Sequence, residues 1–120
     1  MIFFTVHVCR LCLEPPSAPR NLTVSPLTPT SVQLAWKAPK SDGGAPILTY
    51  HIEQQRQGVD SDFTPAREVG STEVQCVLNN LEADTDYKFA VLAKNEVGIS
   101  KKRAESDTIK TKSLISELIR

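Results

Sequence analysis

The 120-residue chain lacks an excess of either charge, since 14 Lys and Arg balance 14 Asp and Glu. A nucleic-acid protein carries a clustered basic surplus, and so does a polybasic membrane binder. Both classes are excluded. No apolar run approaches the roughly 20 residues of a membrane-spanning helix, so this segment is not expected to insert in a bilayer. Cysteine is scarce as well: Cys9, Cys12 and Cys76 are too few for a disulfide scaffold. The five Gly form no G-x-G-x-x-G phosphate loop, and Gly43-Gly44 belongs to a turn. Two His, at 7 and 51, supply no general base paired to a nucleophile, so no catalytic residue is assigned and no enzyme is expected.

Metal ligands are also short. Cys9-Arg10-Leu11-Cys12 holds half of a zinc site, but His7, His51 and Cys76 give no second pair at ligand spacing. Asp60-x-Asp62 and Asp84-x-Asp86 sit in ordinary polar turns, short of the about six to eight oxygens that calcium takes. Neither a metal nor any cofactor is expected.

What the chain does have is strand-forming alternation. Met1 to Val8 is apolar with breaks at Thr5 and His7. The basic start, longer unbroken apolar stretch and small-residue cleavage site of a secretory signal are not clear in it. Ser17 and Ala18 supply small residues later, so a signal is the lesser alternative. The segment reads as a tail, or as the end of whatever precedes this domain. Glu14-Pro15-Pro16-Ser17-Ala18-Pro19 is biased to extended backbone and reads as a semi-rigid linker. Period-two runs follow at Leu22–Val24, Val32–Trp36, Leu48–Ile52, Val74–Leu78 and Tyr87–Ala93. Phe63 to Val69 is a weaker run demoted by Pro65, and Ile99 to Thr111 a weakly patterned last one. Turn-forming residues separate the runs, as at Lys40-Ser41-Asp42-Gly43-Gly44 and Asn95 to Gly98. The spacing predicts an all-β, seven-stranded antiparallel sandwich over residues 16–112, with tails or linkers at 1–15 and 113–120. Leu114, Ile115, Leu118 and Ile119 in the last of these have helical spacing.

One face of each run supplies the expected core: Leu22, Val24, Val32, Leu34, Trp36, Leu48, Tyr50, Ile52, Val74, Cys76, Leu78, Leu81, Tyr87, Phe89, Val91 and Ile109. Within this set Leu81-x-x-x-Thr85-x-Tyr87-x-Phe89-x-Val91 is similar to the tyrosine corner of immunoglobulin-like sandwiches. With Trp36, Tyr50 and Asn95-x-x-Gly98, the chain resembles a fibronectin type III domain. The resemblance implies that the corner tyrosine bonds back to backbone, while Phe89 replaces the cysteine of an antibody-type disulfide. Asp42-Gly43-Gly44-Ala45-Pro46-Ile47 leading to Tyr50-x-Ile52-Glu53, and Asn95-Glu96-Val97-Gly98-Ile99-Ser100, resemble the modules of giant muscle proteins of the titin and twitchin kind. Phe63 departs from that pattern, which commonly has Trp there. The Arg-Gly-Asp tripeptide of integrin-binding relatives is missing.

The expected function is a non-enzymatic structural or protein-binding module. A cytoplasmic, sarcomeric scaffold leads; the alternative is the extracellular part of an adhesion or signalling receptor. Fibronectin-like connections would bring the loops with Lys40, Asp42, Lys94, Asn95 and Glu96 to one end, as a mixed-charge surface without a deep pocket. Expected partners are neighbouring modules or a protein ligand, not nucleic acid or a small molecule. Lys101-Lys102-Arg103 reads as a charged guard on an edge strand. Asn21-Leu22-Thr23 is an N-glycosylation tripeptide, meaningful only if the chain is secreted.

The register of the Cys76 strand is open to a simple check. Cys76 should resist a polar alkylating reagent in the native protein and react on unfolding, while Cys9 and Cys12 react at once. Equal native labelling of all three would mean a one-residue slip, which turns every side chain of that strand over.

Overall fold

The computed structural model describes residues 13–113. The apolar start Met1–Val8, the Cys9–Cys12 pair and the helically spaced tail beyond Ser113 lie outside the described residues. Among the described residues eight strands appear in chain order: β1 Arg20–Thr28, β2 Ser31–Lys37, β3 Thr49–Arg56, β4 Thr64–Gly70, β5 Gln75–Leu78, β6 Asp86–Lys94, β7 Ala104–Glu105 and β8 Ile109–Lys110. They form two antiparallel sheets. One has the order β1-β2-β5; the other runs β4-β3-β6-β7, with β8 also on β6.

The two sheets exist because alternation gives each one apolar face, and the faces cover one another. Val32, Leu34, Trp36, Cys76 and Leu78 come from the smaller sheet, and Tyr50, Ile52, Tyr87, Phe89, Val91 and Ala93 from the larger. Leu22, Val24, Ile47, Val69 and Ile109 pack around them half-buried. Trp36 meets Tyr50 edge-on with centroids 5.4 Å apart. Burying an indole ring removes roughly 150–250 Å² from water, worth about 4–6 kcal/mol at about 25 cal/mol per Å². The Trp36 Nε1 proton is buried without a hydrogen-bond partner among the described residues. That costs about 1–3 kcal/mol, so ring burial wins. Leu81 is buried beside the corner, where the Glu82 amide donates to the Tyr87 hydroxyl at 2.9 Å.

The structure departs from the expected pattern in three places. Leu48 and Val74 are 50% and 42% exposed rather than core. Each directly precedes its strand, where the chain leaves a loop and the facing sheet no longer covers it. Conversely, Ala90 and Leu92 have outward parity yet are buried. Arg103 crosses this face to Glu53, which lies opposite Ala90 in register, with Nε 3.2 Å from the carboxylate. The same guanidinium stacks 4.9 Å above the Phe63 ring, so Arg103 is committed, while Lys101 and Lys102 make no ion pair among the described residues and remain as guards.

The third difference is the last strand, which is in two pieces. Ile99 bridges Lys94, then β7 and β8 pair with β6 at Ala90–Val91 and Asp86–Tyr87. Between them the Ser106 hydroxyl accepts from the Phe89 amide at 2.9 Å, so a side-chain oxygen stands in for a strand carbonyl. That substitution keeps one track along β6 despite the lack of apolar residues.

Trp36→Ala should lower the unfolding free energy by about 3–5 kcal/mol, out of the about 5–15 that a domain holds. Urea denaturation reads it. A loss under about 1 kcal/mol would show that the ring is not a core element.

Candidate interaction surface

Chain direction decides which loops share an end. Thr49 at the start of β3 lies opposite Lys94 at the end of β6, so the loops 38–48 and 95–99 leave the same edge of the larger sheet. Arg20 pairs with Lys37, which brings the start of β1 and the segment before it to this edge too.

That preceding segment, the proline-rich 14–19, is docked on the domain. Pro16 and Pro19 are buried. The Glu14 amide donates to the Gly43 carbonyl and the Ser17 amide to the Ser41 carbonyl, both at 3.0 Å. The Ser17 hydroxyl donates to the Ser41 carbonyl at 3.3 Å and accepts from the Ser41 amide at 3.1 Å. Gly43 holds φ +79°, and a Cβ there would collide with the Glu14 carbonyl oxygen. Only glycine permits that approach.

Asn95 joins these parts. Its Nδ2 donates to the Glu14 carbonyl at 2.8 Å and to the Asp42 carbonyl at 2.7 Å. Its Oδ1 accepts from the Val97 amide at 2.9 Å and the Gly98 amide at 3.1 Å. Its own amide donates to the Gly98 carbonyl at 3.0 Å. Asn95 is 0% exposed, so it is not part of the outer surface with the other loop residues. Burial of an amide is tolerated because every donor and acceptor has a partner. Asn95-x-x-Gly98 reads as an exposed turn because two of its partners come from loops far off in the chain.

Around this hub Lys40, Asp42, Lys94 and Glu96 are exposed. Lys101 and Lys102 flank a shallow open groove along Glu14, Pro15, Pro16, Ser17 and Ala18. Among the described residues Lys40, Lys94, Lys101 and Lys102 make no ion pair, while Arg56, Lys88, Arg103 and Lys110 all do. Free ammonium groups at one end suit the polar, exchangeable contacts of an interface rim.

The opposite end is locked by a second set of bonds. The Thr111 hydroxyl, 2% exposed with its residue, donates to the Glu82 carbonyl at 2.7 Å and accepts from the Thr85 amide at 3.0 Å. The Asp84 amide donates to the Lys112 carbonyl at 3.1 Å. Arg56 lies 3.4 Å from both Asp60 and Glu82. Accepting from the Arg56 amide chiefly, and then facing its guanidinium, holds the Asp60 carboxyl below its ordinary range against a smaller opposing effect of burial. Its contribution to stability is therefore present above the ordinary carboxylate range and lost as pH falls through the lowered value.

No group of three or more His, Cys, Asp or Glu among the described residues is placed to hold a metal. His51 is half-buried, with Nε2 3.3 Å from the Thr49 hydroxyl and 3.9 Å from Glu68. The Cys76 thiol is pushed up by burial, with Arg67 opposing.

The family profile described as the fibronectin type III domain matches residues 17–109. The chain is 38% identical to pikachurin of Bos taurus over 100 residues, covering 83% of this chain and 10% of the relative. It is 37% identical to the Ephrin type-A receptor 4-B of Xenopus laevis over 107 residues, covering 80% and 10%. A crystal structure of domains from titin superposes with a TM-score of 0.76 at 32% identity, over 83% of this chain and 33% of that one. The chain thus spans about a tenth of these curated relatives.

Asn95→Ala should cost about 1–3 kcal/mol, the penalty for leaving buried carbonyls without donors. Hydrogen exchange should rise at the Val97 and Gly98 amides before it rises in β6. Asn95→Asp sets a carboxylate against two carbonyl oxygens and should be no milder at neutral pH. Unchanged exchange at Val97 and Gly98 in both variants would remove Asn95 from this role.

Proposed function

The chain belongs to the fibronectin type III family, and on that premise we propose that it is a non-enzymatic interaction module whose working surface is its N-terminal end. The observation that carries the reading is the Asn95 hub, which ties the incoming chain at Glu14 to the loops at Asp42 and Gly98. A segment held at the Glu14 amide and carbonyl and at the Ser17 amide, and buried at Pro16 and Pro19, transmits orientation to whatever precedes it. Lys40, Asp42, Lys94, Glu96, Lys101 and Lys102 surround that point as contact residues. Each such contact is weak at a solvated surface, so affinity accumulates over several modules acting together.

Two settings suit this role. A cytoplasmic, sarcomeric scaffold of the titin and twitchin kind is supported by the 32% identity to titin domains. The ectodomain of an adhesion or signalling receptor is supported by the 37% identity to an Ephrin type-A receptor, and by the Asn21-Leu22-Thr23 tripeptide, whose Asn21 and Thr23 are exposed.

The test is small-angle scattering from a parent-protein fragment holding this module and the segment before it. A narrow distribution of inter-module distances is expected, broadened by Asn95→Ala. Identical distributions would overturn the orienting role. Nanomolar capture of a protein ligand by the isolated module would overturn the cumulative one.

A further inference from the structure

We infer that Asn21 is an acceptor for an N-linked oligosaccharide, carried on the open edge of the smaller sheet. The four Asn of the chain are at 21, 79, 80 and 95, and only Asn21 has a hydroxyl residue two positions on, Thr23, with a non-proline between. That arrangement is the acceptor tripeptide.

The fold leaves this asparagine alone. Among the described residues β1 lies at the edge of its sheet and pairs only with β2. Its register shifts between Arg20 and Thr23, so Asn21 sits in a bulge with φ +53°. Asn21 is exposed, and its carboxamide makes no hydrogen bond among the described residues. Asparagine tolerates a positive φ better than most residues, which by itself would explain the residue type. Asn80 shows the difference: it has φ +63° and lacks the hydroxyl residue two places on. Asn95, by contrast, is fully committed inside the fold. Leu22 packs half-buried on the core, so the backbone beside Asn21 is anchored while the Asn21 side chain is open to solvent.

The transfer balances with a polyprenyl pyrophosphate-linked oligosaccharide as donor. The Nδ2–C1 bond to the sugar forms as the C1–O bond to pyrophosphate breaks. The lipid pyrophosphate leaves with that electron pair, and the amide nitrogen loses one proton. The Thr23 hydroxyl is free in the extended chain, before folding places it 3.5 Å from the Ala35 carbonyl. Once attached, the glycan projects from a strand edge that no other strand covers and so disturbs no ladder bond. An open edge is a template for unwanted pairing, and a bulky polar group there blocks it.

The inference goes with the receptor-like setting. Its failure leaves the orienting role of Asn95 untouched, since the two rest on different residues. The test has two arms. The parent protein from its source tissue is treated with peptide N-glycosidase, and the peptide holding Asn21 is examined by mass spectrometry for enzymatic conversion of that carboxamide to a carboxylate. The full chain behind a cleavable secretory leader is also made in animal cells, with Asn21→Gln, Thr23→Ala and Thr23→Ser variants. Expected are conversion at Asn21 in the native protein and one glycan's mobility shift in the secreted chain. The shift should be lost in Asn21→Gln and Thr23→Ala and kept in Thr23→Ser, with Trp36 fluorescence reporting that each variant folds. An unmodified Asn21 in the native protein overturns the inference. So does an unshifted secreted chain, or a shift that survives Thr23→Ala.

Discussion

Trp36, Leu34 and Val32 on one sheet and Tyr50, Ile52, Phe89 and Val91 on the other form the contact on which the molecule depends. With 6% aromatic residues and a single Trp in the chain, the large rings are concentrated at this one contact, where Trp36, Tyr50, Tyr87 and Phe89 all lie. One face of each sheet must therefore be buried, and strand register must hold it so. That constraint removes the inner faces from any part in recognition. Function is left to the outer faces, the strand edges and the loops at the two ends.

Of these, the two ends are the most firmly built. Asn95 gathers the incoming segment and two loops with a buried amide, and Thr111 gathers the outgoing segment and the tyrosine corner with a buried hydroxyl. Both are polar groups that would be costly if any partner were missing. Their satisfaction makes the path of the chain into and out of the sandwich as definite as the sandwich itself. A module locked in this way can pass orientation along an array. One held by flexible tails could pass on only proximity.

Charge is divided with similar economy. Several cations over the flanks and the far end are paired: Arg103 by Glu53 and Phe63, Arg56 by Asp60 and Glu82, and Lys110 by Asp84. Lys112 at that far end makes no ion pair among the described residues. Lys40, Lys94, Lys101 and Lys102 around the incoming chain have no such partner among the described residues. The zero net charge therefore hides a local arrangement, with available ammonium groups beside the point where a neighbour would dock. Surface pairs contribute little to stability, so this division bears on contact and hardly on folding.

The strands were legible because alternation is a local property. Val32-x-Leu34-x-Trp36 and Tyr87-x-Phe89-x-Val91 declare their buried face whatever lies opposite. The spacing from Leu81 to Tyr87 similarly contains the corner, since the hydroxyl reaches an amide only five residues back. Where the meaning of a residue depends on distant chain, the sequence was silent or pointed elsewhere. Leu48 and Val74 keep the alternation but lie where the facing sheet gives no cover. Arg103 looks like part of a solvated basic run until Glu53 and Phe63 are brought beneath it. Pro16 and Pro19 read as linker until the loop at Ser41–Gly43 supplies backbone partners for their neighbours. Asn95 is the clearest case. Its partner Glu14 lies 81 residues away, and only closure of the sandwich puts the two together. Composition and period-two patterning thus determined by themselves that this chain is a two-sheet β-sandwich, and which strand faces are apolar. The tertiary structure alone decided which turn residue is a buried clamp, because hydrogen-bond satisfaction depends on what the fold brings near and not on what the chain places next.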